Sequence, residues 1–442
     1  MILHETEMIS REEMEKLQLQ RLRETVKRVY NNVPFYQRKF AELNITPDDI
    51  SSLNDLHKLP FTTKKDLRDN YPFNLLAVKL KDCIRVHASS GTSGKPTVVA
   101  YTKNDIENWA DIVARAITIA GGEPGQVLHN AYGYGLFTGG LGLHYGSEKL
   151  GMVTVPVSGG NTDRQVMLIE DFQPTVICGT PSYVLNIAER MKELGKDPRN
   201  TSLKYGIFGA EPWSEEMRRT LEEMLGIKAC DIYGLSEVIG PGVAMECYEA
   251  QEGLHIAEDH FLVEVINPKT LEPVPDGEEG ELVFTSLTKE AFPVIRYRTG
   301  DIASITRNKC KCGRTTTRMS RVKGRVDDML IIRGVNVFPS EIEHYLLTIE
   351  ELAPYYQIHL FRKGSLDVIQ LQVEVTEPFY AEIGGNISDE RVLMLKKRVQ
   401  HLLKTHCLIS LDVNILEPKS VPRSEGKAIR IVDRRKDVKV NI

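Results

Sequence analysis

The sequence predicts an α/β chain in three successive stretches, and three observations carry that reading. From about residue 84, the short apolar runs VLHNAYGYG, GMVTVPV, PTVICG, LKYGIFGA and IKACDIYG alternate with amphipathic stretches such as DRQVMLIEDF and PWSEEMRRTLEEML. Strand alternating with helix implies parallel pairing in an open α/β sheet. After residue 250 the pattern changes to HFLVEVINPKTLEPVPDGEEGELVFTSL, which reads as strands around a turn at Asp276-Gly277 and hence a small β subdomain. Beyond Asp327, the runs MLIIRGVNVF, DVIQLQVEV and DVNILE accompany a long helical stretch at 388–406, an α+β unit.

Each element has a local cause. Ser10 followed by Glu13 is a capping box, and Met14, Leu17, Leu22, Val26 and Val29 recur at helical spacing, so a helix fills 10–31. Asn31-Asn-Val-Pro34 ends it. Gly209-Ala-Glu-Pro-Trp213 reads as a strand end followed by a helix start, with Pro212 in the first turn. The charged segment RVKGRVDDM, 321–329, marks the boundary between a domain of residues 1–326 and one of 327–442. No internal repeat or low-complexity tract interrupts this order.

Composition excludes several classes. The 442 residues carry 56 Lys plus Arg against 61 Asp plus Glu, a net charge of −5, which argues against a nucleic-acid partner. Seven cysteines, an odd number over a long chain, fit a reducing, cytoplasmic compartment better than a disulfide framework. MILHETEMISREEMEKLQLQ lacks the apolar core and cleavage site of a secretory signal. The longest stretch free of charged side chains, Pro124 to Ser147, has the length of a membrane span, but seven glycines and two histidines break its apolar pattern. No membrane partner is expected.

The first chemistry-bearing motif is Ser89-Ser90-Gly91-Thr92-Ser93-Gly94-Lys95-Pro96. Hydroxyls and glycine amides packed this closely can converge on phosphate oxygens, with Lys95 adding a point charge. The motif is not a Walker loop: two residues rather than four separate its glycines, and Pro96 follows the lysine. A plain Gly- and Ser-rich surface turn has the same composition. The company this loop keeps decides between them.

SSGTSGKPT resembles the phosphate loop of the adenylate-forming superfamily, which includes acyl-CoA synthetases, peptide-synthetase adenylation domains and luciferases. Five further matches follow in the superfamily's order: GAEPW at 209–213, YGLSE at 233–237, YRTGD at 297–301, GRVDD at 324–328 and PRSEGK at 422–427. YGYGLFTGGLGLHYG at 132–146, GAEPW and GLHIAEDHF at 253–261 are similar to the phenylacetate-CoA ligases in particular. The resemblance implies a large, multi-subdomain amino-terminal domain with mixed sheets and a small, mobile α+β carboxy-terminal domain. It also implies a homodimer. The reaction implied is ATP plus a carboxylate giving an acyl-adenylate and pyrophosphate, followed by attack of the coenzyme A thiol.

The resemblance assigns roles residue by residue. Lys427 is matched to the late catalytic lysine; an ammonium there can touch both a substrate carboxylate and the α-phosphate, two anions that otherwise repel. Glu237 is matched to a catalytic, magnesium-associated carboxylate, and one protein ligand suffices for Mg²⁺ beside phosphates. The ATP/AMP set is the loop Ser89 to Lys95, Gly209, Ala210, Glu211 and Pro212 through their backbone, Asp231, Ile232, Tyr233 and Gly234, and Asp301 and Arg325. Within it Tyr233 lies against adenine and Asp301 accepts from both ribose hydroxyls. The glycine run 133–146, with Tyr132, Tyr134, Gly135, Phe137 and Gly140, is the expected floor of a pocket for an aromatic acid. Asp327 resembles a hinge, and Arg333, Gly334 and Val335 would pass beside the pantetheine arm of coenzyme A.

One constellation stands outside that resemblance. Cys310 and Cys312 form a tight pair, and Cys247 and His255 lie seven residues apart on what read as adjacent strands. Together they make a Cys₃His set suited to a closed, structural Zn²⁺ that would staple the β subdomain. Unrelated thiols are the alternative.

The leading reading is an arylacetate-CoA ligase, with phenylacetate the first choice of acid. An adenylating enzyme that passes the acyl group to a carrier protein or amine, a non-catalytic nucleotide-binding regulator, and an ATP phosphotransferase are the alternatives. The hinge match predicts that Asp327→Pro slows thioester formation more than adenylation when the half-reactions are timed separately; equal slowing of both counts against a pivot there.

Overall fold

The computed structural model describes residues 1–89, 96–326, 330–332, 335–363 and 366–434. Its first long helix, Arg11–Asn32, starts where the capping box places it: the Ser10 hydroxyl accepts from the Glu13 amide while the Glu13 carboxylate accepts from the Ser10 amide. Met14, Leu22, Val26 and Val29 bury, whereas Leu17 stays partly exposed. Gln18 and Thr25 share the buried face and donate to the Glu258 and Leu287 carbonyls, which docks the helix on the later β region.

All five apolar runs form strands. In spatial order, Val153–Val155, Val127–Asn130, Val176–Gly179, Tyr205–Gly209 and Lys228–Leu235 pair in parallel. The sheet does not stay parallel, however. It continues through Gly240–Glu246, Leu254–Ile256, Arg318–Met319 and Ile305–Thr306, all antiparallel, to a total of nine strands. The reason is the connection. Only residues 236–239 join Leu235 to Gly240, a link that can reverse a chain but cannot make a parallel crossover.

The β subdomain is correspondingly smaller than the sequence suggests. Four antiparallel strands form it, Phe261–Ile266, Gly280–Ser286, Tyr297–Ala303 and Gly324–Arg325, and Gly277 makes the expected turn at φ +89°. Separately, Cys83–Ala88 pairs antiparallel with Val98–Thr102. Pro212 is not in a first helical turn. The helix Glu215–Leu225 begins later, because the Ser214 hydroxyl accepts from the Met217 amide and fixes the start there.

Most of the glycine-rich stretch 133–146 lies in a helix, Thr138–Leu150, packed against Lys103–Ile119. A Cβ on Gly146 would lie 2.3 Å from the Val113 side chain, and one on Gly142 would lie 2.7 Å from Trp109. Glycine there is a condition of helix contact. No helix among the described residues is long and apolar enough to cross a membrane.

The carboxy-terminal stretch has its own core, running from Leu330 to Ile415. Its sheet has the order Asp412–Leu416, Leu366–Val375, Leu352–Lys363, Ile431–Asp433, with the helices Pro339–Leu346 and Glu390–His406. Leu352–Lys363 is a strand the sequence reading does not name. A register shift between Leu352 and Tyr356 breaks its alternation, so Tyr355 and Tyr356 are both buried.

Substitution Gly146→Ala forces a methyl into Val113 and is expected to cost about 1–3 kcal/mol, read as a lowered denaturant midpoint; an unchanged midpoint contradicts the helix-contact role.

Candidate active site

Four loops leave the carboxyl ends of parallel strands on one side of the large sheet, the edge where open α/β sheets place their ligands. They are residues 131–137, Thr180, 210–214 and 236–239, with Ser182 in the first turn of the helix that follows Thr180. A loop of the carboxy-terminal unit, Ser424 to Ala428, reaches into the same place. The Gly426 carbonyl accepts from the Thr180 hydroxyl at 2.8 Å and the Ser182 hydroxyl at 3.3 Å. Glu211 accepts from the Ser182 amide at 2.9 Å and the Ala428 amide at 2.7 Å.

That docking sets the position of Lys427. Its Nζ lies 5.3 Å from the centre of the Phe137 ring, a cation–π contact. Water reaches the side chain, yet the surrounding protein makes desolvation the largest influence on it and lowers its pKa. Glu211, Glu237 and Asp301 oppose that shift, while Arg325 adds to it. One ammonium therefore senses residues from four separate sequence motifs.

Asp301 is buried and doubly held. It accepts from the Tyr233 hydroxyl at 2.6 Å and from the Arg325 guanidinium at 3.0 Å, and the two strands pair Asp301 directly opposite Arg325. Arg325 also donates to the Thr299 carbonyl. Burial, then the Asp301 charge, pushes the Tyr233 hydroxyl far above its ordinary range, so the shared proton stays on the phenol. The Tyr233 ring stacks on Phe284. Glu237 is buried in the turn after that strand, close to Tyr297, and the neighbouring Ser236 hydroxyl meets that of Thr138 at 3.0 Å.

The remaining expected residues divide. Ser89 sits at the root of the phosphate-type loop, its amide bonded to the Thr97 carbonyl; Ser90, Gly91, Thr92, Ser93, Gly94 and Lys95 lie outside the described residues, as do Asp327, Arg333 and Gly334. Val335 begins a two-stranded hairpin with Leu330–Ile332. Tyr132 is buried, and the Tyr134 hydroxyl accepts from Asn130 and contacts His144. Gly140 has a packing cause of its own: a Cβ there would meet the Gly133 carbonyl at 2.5 Å, whereas Gly133 and Gly135 face open space.

Gly209 likewise has a packing cause, since a Cβ would lie 2.2 Å from the Ile232 carbonyl. Asp231 lies beside Arg321 and Trp213, and burial pushes its pKa up to about 6. Pro212 is exposed. Thr180 and Ser182 are site residues the sequence reading misses. Their signal was two hydroxyls just past an apolar strand, in ICGTPS.

The Cys₃His set does assemble. Donor atoms of Cys247, His255, Cys310 and Cys312 all lie within 4.8 Å of one another. Cys247 and Cys310 sulfurs are 3.6 Å apart, and Cys312 Sγ is 3.3 Å from His255 Nε2. With metal–sulfur bonds near 2.3 Å, a tetrahedral zinc site needs ligand separations of roughly 3.5–3.8 Å. Thr316 holds the other ring nitrogen of His255 at 3.0 Å, the usual outer partner of a ligating imidazole. The set differs from expectation in place. It joins the antiparallel margin of the nine-stranded sheet, with His255 paired opposite Met245 and Arg318, rather than the small β subdomain.

Comparison with known proteins follows the same division. The AMP-binding enzyme family model matches residues 9–288, and the AMP-binding enzyme C-terminal domain model matches 334–435. Phenylacetate-coenzyme A ligase of Thermus thermophilus is 53% identical over 440 residues, covering 98% of this chain and 99% of that one. A crystal structure of 2-hydroxyisobutyryl-CoA ligase in the postadenylation state, with R3-HIB-AMP, superposes with a TM-score of 0.92 at 28% identity, covering 98% and 92% of the two chains. The same ligase with 2-HIB-AMP and CoA in the thioesterification state gives 0.71 at 29% identity, over the same shares.

Proposed function

This chain belongs to the phenylacetate-CoA ligases of the AMP-binding enzyme family, and we propose that it joins phenylacetate to coenzyme A at the expense of ATP, releasing AMP and pyrophosphate. The observation that carries the reading is the docked Ser424–Ala428 loop, which sets Lys427 among Asp301, Arg325 and Glu237.

In the first half-reaction a carboxylate oxygen attacks the α-phosphorus, and the P–O bond to pyrophosphate breaks. Both partners are anions. The Lys427 ammonium lies between them and screens the charge that builds on the α-phosphate oxygens. Asp301, bonded to Tyr233 and Arg325, is the residue that the family match assigns to the ribose hydroxyls. The segments 209–212 and 231–234, Asp231 among them, flank the adenine. The acid lies against residues 132–137. Glu237 is buried, anionic in type and close to the Lys427 field, which fits a magnesium ligand; the ion, when bound, would draw charge from the phosphates.

In the second half-reaction the coenzyme A thiolate attacks the acyl carbon and AMP leaves with the former carboxylate oxygen. Lys427 has no part in that step. The domain boundary at 326/327 and the pivot at Asp327 would let the carboxy-terminal unit withdraw it. The seven unpaired thiols suit a reducing cytoplasm, and the family resemblance supports a homodimer. Product analysis decides among the alternatives: AMP, pyrophosphate and phenylacetyl-CoA are expected, ADP would indicate phosphotransfer, and AMP formation indifferent to coenzyme A would indicate another acceptor.

Two further outcomes are expected. Lys427→Ala should lower phenylacetate-dependent pyrophosphate exchange by about 100-fold or more while still converting supplied phenylacetyl-adenylate to thioester; normal exchange removes Lys427 from its role. For the Cys₃His set we propose a closed structural zinc site, so protein purified without a metal-binding tag should carry about one zinc per chain. A fully folded, metal-free preparation contradicts that site.

A further inference from the structure

We propose that the Glu211 side chain is the positioning residue that holds the Lys427 loop in its adenylate-forming place, a role that rests on the reading of Lys427 given above. The strand Tyr205–Gly209 ends in Ala210, whose φ of +69° turns the chain sharply in the left-handed region. Past that turn two groups meet the carboxy-terminal unit: the Glu211 carboxylate accepts the Ala428 amide at 2.7 Å, and the Ser214 amide donates to Glu343 at 3.2 Å. Glu343 in turn is paired with Arg430, two residues beyond Ala428. The segment 211–214 is thus a two-point dock.

Lys427 lies between the two atoms that are gripped. On one side the Gly426 carbonyl takes neutral hydrogen bonds from Thr180 and Ser182; on the other the Ala428 amide meets an ionisable carboxylate. Bonds to a charged acceptor are the stronger kind. The other Glu211 oxygen accepts the Ser182 amide at 2.9 Å, where the helix Pro181–Glu193 begins, so the carboxylate is anchored to the larger domain and reaches for the smaller. A residue that only lined an adenine pocket would need its backbone and no carboxylate. An acidic side chain beside an anionic nucleotide is unfavourable unless amides saturate it, and here two do.

The role separates from nucleotide binding by a kcat-against-KM split. Glu211→Ala is expected to lower kcat of phenylacetate-dependent pyrophosphate exchange by about tenfold or more, with the ATP KM within about twofold of the parent. Coenzyme A-dependent turnover of supplied phenylacetyl-adenylate should be unchanged, which also shows that the variant is folded. Glu211→Gln keeps one oxygen acceptor and should recover part of the lost kcat. A raised ATP KM with both half-reactions falling together, or no change in exchange, overturns the proposal. Should Glu211→Ala prove insoluble, Glu211→Gln carries the same test: a loss confined to exchange supports the role, and a loss shared by both half-reactions overturns it. Lys427→Ala, run alongside, reports on the underlying reading separately, because normal exchange in that variant removes the lysine's role whatever Glu211 does.

Discussion

A carboxylate and a triphosphate repel each other, and the proposed reaction depends on the Lys427 ammonium being held between them. Lys427 comes from a loop that belongs to the smaller carboxy-terminal unit, yet its immediate neighbours in sequence are gripped by Thr180, Ser182 and Glu211 of the larger one. The cation is thus carried by one unit and held in place by the other.

Reversibility follows from the kind of bonds used. Net contributions of about 0.5–1.5 kcal/mol for a neutral hydrogen bond, and somewhat more for one to a charged group, suit a contact that must form and break each cycle. Apolar contact also crosses the boundary: Tyr355 and Val421 join a cluster otherwise drawn from residues 131–229, with Leu347, Ala353 and Leu416 packed against it, while the unit keeps a core of its own. The two superpositions on one ligase differ in the same sense. Agreement is high with its postadenylation state and lower with its thioesterification state, as expected when domains keep their folds and change their relation.

Much of this was legible in the residues. The capping box at Ser10 and Glu13, the five parallel strands and the helix near 390–406 follow from local pattern, because capping and periodicity are local facts. The antiparallel half of the large sheet was not, since its strands at 254–256, 305–306 and 318–319 are two or three residues long and owe their place to tertiary pairing. The site shows the same contrast. Asp301, Arg325 and Tyr233 sit in separate motifs and converge as the resemblance implied. Gly140 and Gly209 each admit a neighbouring carbonyl, a packing cause that sequence alone does not separate from room left for a substrate. Thr180, Ser182 and the Glu211 carboxylate gain meaning only once the second domain is seated on them.

The most direct test of the central claim follows oxygen. With phenylacetate labelled in both carboxylate oxygens with ¹⁸O, attack on the α-phosphorus leaves one label in the AMP released on thioester formation, with none in pyrophosphate. That is the predicted result. Label in inorganic phosphate or pyrophosphate, or AMP free of label alongside phenylacetyl-CoA, would mean that the acid never bonds to the α-phosphate, and the account of Lys427 would be wrong.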